Sequence, residues 1–98
     1  MQFLALARMR TDLYSDDDFK PLLDDEAEQA RTLYMEGTVR QIWYRGDQRG
    51  ACSILEAESE DAARAAIESL PLVKAGMLEL VHLIPLLPYR GFGPRDVR

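Results

Sequence analysis

The chain has 98 residues, 47% of them hydrophobic and 30% charged, with a formal net charge of -5. That length makes one domain with a modest core, burying roughly two-thirds of its unfolded surface at most. The acidic balance, with no basic cluster to offset it, argues against nucleic acid as a partner, because phosphate binding needs a cationic face.

Phe3 to Met9 is mostly apolar and reads as the first strand. Thr11 to Ser15 is a turn-like break. Ser15 is placed to cap a helix, with Asp16, Asp17 and Asp18 at the positive end of its dipole. Pro21 falls in the first turns or delays the start. Leu22, Leu23, Ala27, Ala30, Leu33 and Tyr34 keep a helical period, and Gly37 ends the helix as a left-handed cap. Thr38 to Arg45 is β-branched and aromatic and reads as the second strand. Gly46 to Gly50 is a hairpin loop, and Ala51 to Ala57 the third strand. Ser59 caps a second helix with apolar stripe Ala62, Ala63, Ala66, Ile67 and Leu70, ended by Pro71. Met77 to Ile84 is the fourth strand, and 85–98 an extended tail. The order βαββαβ is ferredoxin-like: a single α+β domain over 1–98, with a four-stranded antiparallel sheet and two helices on one face.

Cys52 is the only cysteine and His82 the only histidine. No intrachain disulfide can form, which fits a reducing cytoplasm. A zinc site of nitrogen and sulfur ligands lacks its residues. The acidic runs Asp16-Asp17-Asp18 and Asp24-Asp25-Glu26 lack a calcium-loop pattern and read as a solvated helix, so no metal is expected. The longest strongly apolar run, Leu83 to Leu87, is too short to span a membrane and holds a proline. The N-terminus has no charged region followed by a long apolar run, so no signal peptide is expected.

Strand parity raises a packing question. The first strand offers Phe3, Ala5 and Ala7 on one side and Leu4 and Leu6 on the other. The fourth offers Leu78, Leu80 and Ile84 on one side, Val81 and Leu83 on the other. A sheet with one wet face alternates apolar and polar; these strands do not. Two helices cover one face, so the other needs a second subunit, packed sheet against sheet. The apolar tail Leu86-Leu87-Pro88-Tyr89, with Phe92, is either an exchanged arm or a cover for its own sheet.

Glu36-Gly37-Thr38 with Arg40 and Trp43, then Leu70-Pro71-Leu72, then Glu79 resemble the muconolactone delta-isomerase family, over about Leu22 to Pro85. The resemblance implies a dimeric α+β barrel, often assembled into a larger ring. It implies a site inside the barrel with no cofactor, and a proton moved within an unsaturated lactone bearing a carboxymethyl group. Such chemistry needs a general base, a donor for the enolate-like oxygen and a cation for the carboxylate. Leu4 and Leu6 depart from the polar residues expected in the family and make the interior greasier.

Three residues are candidate acid–base groups. Glu26 lies on the apolar stripe of the first helix, where desolvation raises a carboxylate's pKa; the alternative is a boundary glutamate reaching solvent. Glu79 sits between Leu78 and Leu80 and points either to the interior or to a buried partner. His82 is a candidate because histidine is the side-chain type suited to proton transfer near neutral pH; by parity it shares a face with Leu80 and Ile84, and a satisfied core histidine is the plainer role. Candidate substrate contacts are Gln41 and Trp43 on one face of the second strand, Arg40 and Tyr44 on the other with Ile42, and Arg8 ending the first strand. Arg40 or Arg8 would hold a carboxylate, or else form a surface ion pair. Cys52 reads as an inert thiol.

The function expected is a cofactor-independent isomerase of a small unsaturated lactone, cytoplasmic and self-associating. Alternatives are a cofactor-free monooxygenase and a non-catalytic small-ligand-binding or accessory protein.

Overall fold

A computed structural model of the protein describes residues 1–92; the end of the predicted tail, 93–98, lies outside the described residues. The elements are β1 (Gln2–Met9), α1 (Asp16–Met35), β2 (Val39–Tyr44), β3 (Gly50–Glu56), α2 (Glu60–Glu68), α3 (Pro71–Lys74) and β4 (Leu78–Leu86). The strands form one sheet in the order β2-β3-β1-β4, with every neighbouring pair antiparallel. This is the ferredoxin-like arrangement.

Local chemistry sets the helix ends. The Ser15 backbone N–H donates to Asp18 Oδ2 at 2.8 Å, closing the start of α1. Gly37 has φ +84° and ends it. Its N–H donates to the Tyr34 carbonyl and that of Thr38 to the Leu33 carbonyl, at 3.0 and 2.9 Å. That pair of bonds satisfies carbonyls the helix leaves free, in a conformation only glycine adopts cheaply. Ser59 Oγ accepts the Ala62 N–H at 3.1 Å and starts α2. Pro71 does more than end α2: it is the first residue of α3, where its missing N–H costs nothing.

One face of the sheet is covered by the helices. Phe3, Ala5 and Leu55 pack with Leu33, Val39, Ala63, Ile67 and Leu70; a second cluster joins Ala7 and Leu78 to Phe19 and Leu72. Phe19 lies edge-on to Tyr14 and under the Arg49 guanidinium, which also pairs with Asp16. The opposite face has no cover among the described residues. Leu4, Leu6, Cys52 and Ile54 are half-buried there and Trp43 and Ile84 exposed.

Two irregularities overturn simple parity. The register of β1 against β4 runs Leu6↔His82 and then Ala7↔Leu80, so Val81 is an extra residue. The bulge puts Leu80 and Leu83 on the helix-covered core, and His82 and Ile84 on the open face. The expected grouping of His82 and Ile84 with Leu80, and of Leu83 with Val81, is therefore corrected. In β2 the register passes from Val39↔Leu55 to Gln41↔Ile54, leaving Arg40 unpaired. Arg40 does not belong to the alternation that carries Ile42 and Tyr44. The fourth strand also runs past its expected end at Ile84 to Leu86. Pro85 is tolerated because β4 is an edge strand, where one side of the backbone needs no ladder bond.

Candidate functional site

Between α1 and the β2 edge of the sheet, on the helix-covered side, lies an open cleft of about 510 Å³. Leu23, Glu26, Ala27, Ala30, Arg31 and Tyr34 form the α1 wall. Ile42, Trp43, Tyr44, Gly50 and Ala51 form the sheet wall, with Met9, Leu72 and Leu78 completing the lining. A narrow recess of about 40 Å³ continues inward to Ser53 and Leu33 and shares Glu26 with the cleft. The cleft explains why Leu23 and Tyr34 are exposed although they keep the apolar period of α1: no strand side chain fills the space before them.

Glu26 is half-buried in this lining. Its Oε1 accepts the backbone N–H of Leu72 at 2.9 Å, from the first turn of α3. Burial pushes the carboxyl above its ordinary value, and the Leu72 bond opposes that only in part. The folded state therefore favours the protonated form. This contribution to stability is fully present below the ordinary carboxylate value and is lost as pH rises through the raised one. Glu26→Gln keeps an oxygen for Leu72 and removes the charge. It is expected to raise the melting temperature at pH 7 relative to wild type and to leave it unchanged in acid. Thermal melts at the two pH values read this directly.

The three acid–base candidates do not converge within the chain. Glu26 faces the cleft, whereas Glu79 and His82 lie on the open face, in register with Arg8 and Leu6. Glu79 is held at the sheet surface, with Oε1 2.6 Å from Arg8 Nε and Oε2 3.6 Å from an Arg10 nitrogen. That answers which partner Glu79 has, and it engages Arg8 away from the cleft. Of the candidate contacts, Tyr44 and Trp43 line the cleft. Trp43 does so at the sheet edge, its register opposite Cys52 placing it with the open face. Gln41 and Arg40 are exposed and outside the lining. The greasy interior expected from Leu4 and Leu6 is corrected too: both lie on the open face and neither lines the cleft.

Arg31 and Tyr34 line the cleft without having been singled out for chemistry. They lie five and eight residues after Glu26, rotated away from it around α1, and only the opposing sheet wall brings them into the same lining. Among the described residues no group of three or more His, Cys, Asp or Glu side chains is gathered to hold a metal ion, and no helix is long and apolar enough to cross a membrane.

The chain matches the family model described as muconolactone delta-isomerase over residues 1–90. No curated protein sequence matches it. Among solved structures, a muconolactone isomerase superposes with a TM-score of 0.79 at 24% identity, covering 100% of both chains. A 5-chloro-2-hydroxyhydroquinone dehydrochlorinase from Burkholderia phenoliruptrix AC1100, in complex with 2,5-dihydroxybenzoquinone, superposes with a TM-score of 0.62 at 20% identity, covering 96% of this chain and 100% of that one. Both likenesses are of fold. The family match spans nearly the whole chain, and the chain belongs to the muconolactone delta-isomerase family.

Proposed function

We propose that the protein is a cofactor-independent isomerase that moves a proton within a small unsaturated lactone, with Glu26 as its base. The observation that carries this reading is a half-buried carboxylate of raised pKa in an apolar cleft, in a chain of this family. Ionised Glu26 takes a proton from the carbon beside the carbonyl system. The electron pair moves into the conjugated system, and charge develops on the carbonyl oxygen. Protonated Glu26 then returns the proton to a different carbon, so the double bond shifts and nothing is gained or lost. A carboxyl of raised pKa is the stronger base, and in an open cleft its proton exchanges with solvent before one is returned to the substrate. The hydroxyls of Tyr34 and Tyr44 are among the donors that the lining residues offer the developing charge, with the Trp43 indole and the Arg31 guanidinium.

The test is incubation with a carboxymethyl butenolide in heavy water, followed by NMR. Ring isomerisation with deuterium uptake is expected in the wild type and in His82→Ala. Binding without exchange would count against isomerisation; oxygen uptake would then separate a monooxygenase from a non-catalytic binder.

We also propose that the open face of the sheet packs against a second copy. Among the described residues nothing covers Leu4, Leu6, Ile54, Ile84 and Trp43. Leu6→Asp places a charge at the centre of this face, between Cys52 of β3 and His82 of β4. Sedimentation velocity is expected to show a dimer or larger assembly for the wild type and a monomer for Leu6→Asp. Equal masses for the two would remove the interface from this face.

A further inference from the structure

We propose that Gln29 and Ser69 are positioning residues for Glu26: their hydrogen bond fixes where the Leu72 N–H stands along α1, and so leaves one oxygen of Glu26 free to take a proton; this rests on the reading of Glu26 as the base. Two hydrogen bonds tie α1 to the corner where α2 passes into α3. Glu26 Oε1 accepts the Leu72 N–H at 2.9 Å, and Gln29 Nε2 donates to Ser69 Oγ, also at 2.9 Å. Glu26 and Gln29 are three positions apart on α1 and so neighbours on its surface. Ser69 and Leu72 are three positions apart and flank Leu70-Pro71. The two bonds are therefore paired rungs between the same two stretches of chain, which run in opposite directions. The Ser69 hydroxyl also donates to the Ala66 carbonyl at 2.6 Å, so the Gln29 rung is fastened to the last turn of α2.

The first rung depends on the second. α3 is little more than one turn, Pro71–Lys74, too short to hold itself in place. Leu70 and Leu72 are buried and set how deep the corner sits. Apolar burial is non-directional and does not fix a register along α1. The Gln29–Ser69 bond is directional and half-buried, and it sets that register one helical turn beyond Glu26. Neither Gln29 nor Ser69 lines the cleft or its inner recess, so neither is placed to touch a substrate. Among the described residues, Leu72 is the only hydrogen-bond partner of the Glu26 carboxylate, and it engages Oε1. Oε2 is left to work as the base. Without the Leu72 N–H the two oxygens become equivalent, and the carboxylate turns about its last bond.

The experiment compares the wild type with Gln29→Leu, Ser69→Ala and Ser69→Thr. Two readings need no turnover: the Glu26 carboxyl carbon and the Leu72 amide proton, followed by NMR across pH. In the wild type the Leu72 amide is expected to titrate together with Glu26. Loss of the Gln29 rung weakens the Leu72 bond, which opposes the upward push of burial on the Glu26 carboxyl. The Glu26 midpoint should therefore move upward in Gln29→Leu and Ser69→Ala, and the Leu72 amide should lose its response. Ser69→Thr keeps a hydroxyl and is expected to keep the wild-type midpoint. With a carboxymethyl butenolide, kcat should fall about tenfold in the first two variants at unchanged KM, because a misplaced base slows the step without weakening binding. The double variant should lose no more than either single one. A lower melting temperature with an unshifted Glu26 midpoint, and a Leu72 amide that still follows it, would make the pair structural only and overturn the proposal. A rise in KM at unchanged kcat would overturn it too. Absence of turnover in the wild type would sink the isomerase reading, and the rung would then stand or fall on the two NMR readings.

Discussion

Glu26→Gln is expected to lower proton exchange by about a hundredfold to ten-thousandfold, the range a positioned general base supplies. The substitution is conservative in shape. The amide oxygen of the variant side chain would still accept the Leu72 N–H, so α3 stays docked on α1. Only the basic electron pair disappears. The pH profile gives a second, independent readout. The base works ionised, and burial raises its pKa above the ordinary carboxylate value. The rate should therefore fall as pH drops through that raised value, and the acid limb should lie higher than for an exposed carboxylate. A variant that loses activity with an unshifted limb, or one that retains activity, would remove Glu26 from the chemistry. The same substitution is expected to stabilise the fold at neutral pH, so function and stability pull in opposite directions at one residue.

Gly50→Ala is expected to cost about 2–4 kcal/mol of stability. Gly50 opens β3 and pairs with Arg8 of β1. A Cβ there would sit 2.2 Å from the Ala7 carbonyl oxygen and 3.0 Å from the Arg8 Cα. Both atoms are backbone of the neighbouring strand, so no rotamer change relieves the clash and the β1–β3 register must give. Gly50 also lines the cleft, and displacement of β3 there carries Ala51 with it. Gly46→Ala, in the hairpin loop with nothing within 4 Å of its Cβ position, is the matched control. Its effect should stay within about 0.5 kcal/mol. Urea titrations with equal m-values would confirm that the native state carries the difference.

The element order was legible because each boundary has its own chemistry. Ser15 with Asp18, Gly37, Ser59 and Pro71 each satisfy or withhold specific backbone bonds, and these are visible one residue at a time. Glu26 was legible as a carboxylate on an apolar stripe. The bulges at Arg40 and Val81 were not. Nothing in Leu80-Val81-His82-Leu83 marks an extra residue, yet one insertion reverses the face of all that follows and moves His82 away from the helices. The cleft was not legible either. It depends on how far α1 stands from β2, which is set by distant packing at Phe19, Leu33 and Leu72. For that reason Arg31 and Tyr34 read as ordinary helix positions until the opposing wall was in view.

We place the active site on the helix side of the sheet, at the β2 edge. Amide chemical-shift mapping with a carboxymethyl butenolide tests it most directly. Perturbations are expected at Ala27, Ala30, Arg31, Tyr34 and Ile42, and at Leu72, whose N–H reports on Glu26. Perturbations centred instead on Leu4, Leu6 and His82 would put the ligand on the open face and rule out the cleft as its site.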